Sequence, residues 1–251
     1  MKTRISQAYP DRVEVRGRDL ASDLMGRLTF TEYVFFLLTG REPTEDQRFF
    51  LDLLLVSIAE HGLMPSNVAA RLTLAADPES LHGAVAAGIL GCGPVVLGTS
   101  EECARLLERA RGQGGTPSDA ALAVAREVHE AGGRLAGFGH PVHEPVDPRA
   151  ERVLELADER GVSGEHVLLA RAFRNSAAEV WGRPLTMNVS MPIAAVLLDL
   201  DFPRIAIKGV PILARTAGLI AHLAEEQDEL AGFPLAAAAE EAVRYEPDAR
   251  G

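Results

Sequence analysis

The segment Gly137-Phe138-Gly139-His140-Pro141-Val142-His143-Glu144-Pro145-Val146-Asp147-Pro148-Arg149 gathers the residues best suited to chemistry in this chain. Its three prolines and two glycines exclude a helix and predict a rigid, ordered loop. The glycines on either side of Phe138 permit backbone angles that other residues avoid, so His140 can be set closely against a ligand. Asp147-Pro148 reads as an N-cap followed by proline at the first helical position, which puts Arg149 in the first turn of a helix. A guanidinium beside the free N–H groups of a helix N-terminus suits a carboxylate or a phosphate. The alternative for the same residues is structural, with His140 capping a buried turn and Arg149 in a surface ion pair. As a metal pair His140 and His143 are weak, since they lie off any helix with no third ligand nearby, and no metal is expected.

The elements that must hold this loop read as helices. Apolar residues recur at i, i+3 and i+4 along most of the chain, and aromatics are only 5%. The pattern predicts an all-α protein. Helices are expected over residues 30–38, stopping at Gly40, over a run opened by Pro43-Thr44 and ending near Ala59, and from Pro65 to about Ala75. A run after Asp77-Pro78 carries Gly83, Ala84, Ala87, Gly88 and Gly91, small residues that predict close approach to another helix. Gln113 to Ser118 reads as a surface loop with helix on both sides. Further helices are expected at 119–131, 148–160, 165–180, 192–200 and 209–230. The one alternating piece, Val13 to Arg16, closed by Gly17, predicts at most a small hairpin.

Composition removes several classes of partner. At 251 residues the chain can bury roughly three quarters of its unfolded surface, so a full core is available. With 25 Lys+Arg against 36 Asp+Glu, the net charge of −11 offers no basic footprint for nucleic acid or anionic lipid. Apolar residues at 47% and charged residues at 24% are ordinary for a soluble globular protein. Cys92 and Cys103 form neither a disulfide framework nor a zinc pattern. No signal-peptide run opens the chain, and the apolar stretches read as too short or too charged to cross a bilayer, so a cytoplasmic protein without membrane partners is expected.

The loop closely resembles the signature of the citrate synthase family, GFGHxVxxxxDPR. Arg16-Gly17-Arg18-Asp19-Leu20 resembles that family's RGYDI segment, Glu60-His61-Gly62 with Pro65-Ser66 its DHGxxxS segment, and Ala214 to His222 its ARTAGWIAH helix. Asn188-Val189 resembles the start of the NVD motif, and the spacing from Asn188 to Arg215 is that of the family. The resemblance implies that His61 binds the keto or hydroxyl oxygen of a four-carbon acid, that His140 polarises the same oxygen, and that Arg149 and Arg215 hold its carboxylates. Such roles are chemically sound, because a guanidinium fork takes a carboxylate bidentately and an imidazole can donate to an oxygen that gains charge.

Three departures from the family pattern bear on activity. The enolising histidine of GPLHG is replaced by Val96, as in the citryl-CoA lyase branch, while His82 lies earlier and reads as structural or as a helix-interface residue. The carboxylate of NVD is Ser190, whose hydroxyl is no base at neutral pH without an activating partner. Asp199 and Asp201 lie about three turns away, roughly 15 Å, and read as a solvated helix-end cluster. His143 and Glu144 are nearer candidates for proton transfer, with Glu144 reading as an exposed loop charge. The arginine that a neighbouring subunit donates in the family has no counterpart in Ala231 to Pro234; Arg244 is the substitute in reach.

The resemblance therefore implies an all-α fold with a large domain over 1–94 and 193–251 and an inserted smaller domain over 95–192 that carries the loop 137–149. It implies a citryl-CoA lyase-like enzyme, with citrate synthase-type condensation or a non-catalytic dicarboxylate or acyl-CoA-binding protein as alternatives. His140, His61 and Ser190 are the expected catalytic positions, and Arg149 and Arg215 join the two histidines in binding substrate. No tightly bound cofactor is expected, coenzyme A entering as the substrate thioester. A homodimer is expected.

Overall fold

The computed structural model describes residues 1–93, 97, 99–140 and 142–246. Val96 and Pro141 lie outside the described residues. Helices dominate, as the periodicity predicts: α1 Phe30–Thr39, α2 Glu45–Ala59, α3 Pro65–Ala76, α4 Leu81–Leu90, α5 Thr99–Gln113, α6 Pro117–Glu130, α7 Pro148–Glu159, α8 Glu165–Trp181, α9 Ser190–Asp199, α10 Arg204–Asp228 and α11 Gly232–Ala242. Near the N-terminus the strands β1 Ser6–Ala8, β2 Val13–Val15 and β3 Arg18–Asp19 form an antiparallel sheet in that order, followed by a π-helical turn over Leu20–Leu24. This is one strand more than a hairpin, because Arg16 at φ +53 and Gly17 at φ +83 turn the chain straight back on itself.

Local chemistry accounts for several helix ends. Thr29 and Glu32 form a reciprocal capping box at the start of α1, and Gly40 ends that helix in the left-handed conformation. Thr116 caps α6 ahead of Pro117, and Asp147 caps α7 ahead of Pro148.

Contacts divide the chain into two compact units, Met1–Ser57 with Thr99–Val210, and Ile58–Gly98 with Pro211–Gly251. The core of the first unit is built around α9. Met191, Ile193, Ala194, Ala195, Val196 and Leu197 are fully buried, so this helix is apolar all round and packs among α5, α7 and α8. Its N-terminus begins at Ser190, two residues before the expected start. At its C-terminal end the Asp199 side chain is turned into the protein rather than solvated. It accepts the backbone N–H groups of Gly164, His166 and Val167 and the Nδ1 of His166, at 2.8–3.0 Å, and so caps α8 from a distant part of the chain. Burial pushes the Asp199 carboxyl up, but the His166 side chain and the backbone donors hold it below the ordinary aspartate value. Asp201 is exposed, as expected.

Helix α10 starts at Arg204, five residues before the expected start at 209, and runs through Pro211. Pro211 has no N–H to offer the carbonyl of Ile207, and the buried Ser100 Oγ donates to that carbonyl instead, at 3.1 Å. At 25 residues and a mean hydropathy of 1.2 over its most apolar window, α10 is long and apolar enough to cross a membrane, which corrects the expectation that no stretch is. Part of its apolar surface packs within the protein, while Ile205 and Ile220 are exposed. In the second unit Leu219 and Leu223 form a buried cluster with Ala70, Leu74 and Ala84. The small residues of α4 serve this contact: a Cβ on Gly88 would come within 2.6 Å of Leu219 Cδ2. His82 is exposed in the first turn of α4.

Candidate active site

The signature loop of the first unit is pinned from below. Gly139 N–H donates to Thr186 O at 2.7 Å, Asn188 N–H to Gly137 O at 2.9 Å, and Thr186 Oγ1 to Pro145 O at 3.0 Å. Asn188 Nδ2 also donates to Gly139 O at 3.0 Å, while its Oδ1 accepts the N–H of Ser190. Gly137 has φ +81, and a Cβ there would sit 2.7 Å from Cys103 Sγ and 2.9 Å from Met191 Cβ, so only glycine lets the loop lie on α9. Cys103 is fully buried, and burial pushes its thiol far up, which leaves it a packing residue.

His140 sits at the top of this loop and is half-buried. Its Nδ1 accepts the backbone N–H groups of Val142 at 3.0 Å and His143 at 2.9 Å. Two donors on Nδ1 require a lone pair there, so the neutral ring carries its proton on Nε2. Arg149 Nη2 lies 3.3 Å from Nε2. Since a neutral imidazole cannot accept at both nitrogens, this last contact brings two donors side by side. Such a pair suits an anionic or carbonyl oxygen placed against both. The turn-capping reading of His140 thus describes Nδ1, and its capping leaves Nε2–H as the donor.

Arg149 is anchored by a group that sequence reading treated only as a cap. Asp147 is completely buried. Its Oδ1 accepts the N–H and Nε of Arg149, both at 3.0 Å, and its Oδ2 accepts Arg149 Nη2 at 2.9 Å and the N–H of Val189 at 3.1 Å. One carboxylate therefore caps α7, orients the guanidinium, and ties the loop to the residue before Ser190. Burial pushes the Asp147 carboxyl up, but the bonds and charge of Arg149 and the N–H of Val189 hold it below the usual aspartate value. The Arg149 ion pair is thus internal rather than a surface pair, and it leaves Nη1 outside the fork. The DPR spacing carried the signal, since a cap two residues before an arginine can bond both its N–H and its side chain.

His143 packs its ring on His140, with centroids 4.4 Å apart and planes tilted by 33°. Glu144 is exposed, as expected of a loop charge, and precedes Pro145 in a cis peptide. Ser190 is the first residue of α9 and half-buried, with its N–H spent on Asn188. Arg244 is exposed near the C-terminus, 3.6 Å from Glu246.

In the second unit His61 follows α2, and Arg215 lies on α10. Arg215 is buried, its Nε has no partner among the described residues, and its Nη1 is 3.5 Å from Asn67 Oδ1. A buried guanidinium this poorly satisfied is an open demand for an anion or acceptor. Asn67, fully buried, also accepts Ser66 Oγ at 3.0 Å and donates to Gly62 O at 2.8 Å. Glu60 Oε1 accepts the N–H groups of His61 at 2.8 Å and Gly62 at 2.7 Å. Cys92 is half-buried, and burial pushes its thiol up against the opposing effects of Ser66 and Arg215.

Residues 2–232 match the family described as citrate synthase, C-terminal domain. The chain is 31% identical to citrate synthase 1 of Mycobacterium tuberculosis over 71% of its own length and 43% of the relative's. It is 26% identical to a citrate synthase of Heyndrickxia coagulans over 80% of its length and 53% of the relative's. The chain thus spans about half the length of these curated relatives. Among solved structures, citryl-CoA lyase from Hydrogenobacter thermophilus superposes with a TM-score of 0.88 at 30% identity, covering 100% of this chain and 96% of that one. ATP citrate lyase from Methanothrix soehngenii, solved with citrate and coenzyme A, shares the fold at a TM-score of 0.80 and 21% identity, over 99% of this chain and 42% of that one.

Proposed function

Because this chain belongs to the citrate synthase family, we propose that it is a citryl-CoA lyase-like enzyme that splits a citryl-CoA-type thioester into acetyl-CoA and oxaloacetate. The observation that carries the reading is the pairing of His140 Nε2–H with the Asp147-anchored fork of Arg149. Arg149 takes a carboxylate of the four-carbon part, and His140 donates to the oxygen on its central carbon. His61 and Arg215 are assigned to the same acid by their motifs.

In cleavage the hydroxyl proton leaves, the oxygen becomes a carbonyl, and the carbon–carbon bond breaks with its electron pair passing to the thioester enolate. A proton on the enolate carbon completes acetyl-CoA. His140 cannot take the hydroxyl proton, because Nε2 already carries one and Nδ1 is engaged by two backbone donors. Its part is to stabilise charge on the oxygen, and His61 is the proposed acceptor of the proton. His143 or water protonates the enolate. The lyase reading is preferred to the condensing one because Val96 stands in the sequence where the condensing members carry their enolising histidine, as in the citryl-CoA lyase branch. The family's homodimeric assembly is part of this proposal.

Ser190 favours a second reading, a protein that keeps the acid-binding residues and performs no turnover. The two are separated by incubating the purified chain with citryl-CoA and following oxaloacetate and acetyl-CoA, beside a Ser190→Asp variant. An aspartate at the first turn of α9 is favoured as the anion by the helix N-terminus, so the variant is expected to cleave faster than the parent. Oxaloacetate and acetyl-CoA released by the parent in equal amounts support the lyase. A parent that binds oxaloacetate without cleaving the thioester, with turnover only in the aspartate variant, supports the binding protein.

A further inference from the structure

A chain of bonds in the second unit ends at the backbone of His61 and at the neighbour of Arg215, and none of its first three members has a role in the reading above. It begins with Arg71 of α3, which is buried and held by Glu226 at 2.7 Å and by Glu225. Arg71 Nε and Nη2 both lie against His222 Nδ1, at 3.2 and 3.0 Å. A guanidinium only donates, so Nδ1 must be the lone-pair nitrogen and the proton of the neutral ring sits on Nε2. That nitrogen is 3.0 Å from Glu60 Oε1. The same oxygen accepts His61 N–H, Gly62 N–H and, at 3.2 Å, Asn67 Nδ2.

We propose that Arg71, His222 and Glu60 are positioning residues: Arg71 selects the His222 tautomer that aims Glu60, and Glu60 sets both the turn carrying His61 and the Asn67 amide that faces Arg215. Glu60 is half-exposed, and a carboxylate at the end of a helix in water has many rotamers. His222 chooses one. The fixed direction of Asn67 follows, because its Nδ2 is spent on Glu60 and Gly62, which turns Oδ1 toward Ser66 and Arg215. Gly218, one turn before His222, makes the approach of α10 possible, since a Cβ there would lie 2.2 Å from Ala59 O. Burial pushes the Glu60 carboxyl up, yet the His222 bond and the two backbone donors keep it below the ordinary glutamate value, as an accepting anion. The sequence signal was the histidine that closes the ARTAGLIAH motif, which the substrate-binding roles leave unused.

This inference rests on the reading that His61 and Arg215 receive the acid, and the test separates the two. In the unmodified full chain, nitrogen-15 spectra of the histidine rings are expected to show neutral His222 as the Nε2–H tautomer; an Nδ1–H ring overturns the relay. In His222→Leu the amide protons of His61 and Gly62 are expected to move upfield as their acceptor swings away. In His222→Gln, whose amide nitrogen takes the place of Nε2, they are expected to return. Oxaloacetate affinity should fall about tenfold in the leucine variant and recover to within about threefold in the glutamine variant. Unmoved amides in the leucine variant, or a glutamine variant no better than leucine, overturn the proposal. If the amides respond as expected while the parent binds no oxaloacetate, the relay stands and the acid is struck out as its ligand.

Discussion

Asp147→Asn is expected to be the most damaging single-atom change in this protein. Each carboxylate oxygen accepts two donors: Oδ1 takes the N–H and Nε of Arg149, and Oδ2 takes Arg149 Nη2 and the N–H of Val189. Whichever way the asparagine amide turns, its NH2 group faces two donors. The guanidinium loses its anchor at a fully buried carboxylate, a loss of about 3 kcal/mol in unfolding free energy at neutral pH. Affinity for a four-carbon dicarboxylate should fall about a hundredfold, because Arg149 no longer presents a fixed fork. The pH dependence supplies an internal control. A carboxyl held below its unfolded value contributes stability that is fully present above the unfolded aspartate pKa of about 3.9 and is lost as pH falls through its own lower value. Urea unfolding of parent and variant should therefore differ most near neutrality and converge in acid. A gap that stays constant down to about pH 3 would show that ionised Asp147 is not the anchor.

The second large effect is expected at His140. Its ring is held by two backbone N–H groups on Nδ1, so the orientation of Nε2–H is set before any ligand arrives. A donor fixed in advance against an oxygen that gains charge is worth most in the transition state. If the proposed lyase reading holds, His140→Ala should lower citryl-CoA cleavage by 10²- to 10³-fold, with a much smaller loss in binding of oxaloacetate, for which the Arg149 fork remains in place. The split is the informative part. Equal losses in binding and turnover would make His140 a simple binding residue, and unchanged turnover would remove it from the chemistry.

Much of this architecture was legible because it is local. Asp147-Pro148 announces a helix start within two residues and Gly40 announces an end, whereas Thr116-Pro117, read as loop, already caps and opens α6 two residues before the expected start at 119. Arg149 and His140 were likewise found as a pair because one loop carries both. What escaped depends on partners far along the chain. Asp199 looks like a solvated helix end until α8 arrives to be capped by it. The first five residues of α10, 204–208, lie outside the expected helix at 209–230, because the carbonyl freed by Pro211 is satisfied by Ser100, more than a hundred residues earlier. Nothing short-range links Arg71 to His222 or His222 to Glu60. Helix α11 was also missed, since the alanine run Ala236 to Ala239 has no apolar face for periodicity to detect.

The most direct test of the central claim reads the polarisation itself. Oxaloacetate labelled with carbon-13 at its keto carbon is bound to the parent and to His140→Ala, and the carbonyl stretch is recorded by infrared difference spectroscopy. If His140 Nε2–H and Arg149 converge on the acid as proposed, the stretch of the bound keto group shifts to lower frequency in the parent and returns toward its solution value in the variant. A bound carbonyl with the solution frequency in both proteins would contradict the account.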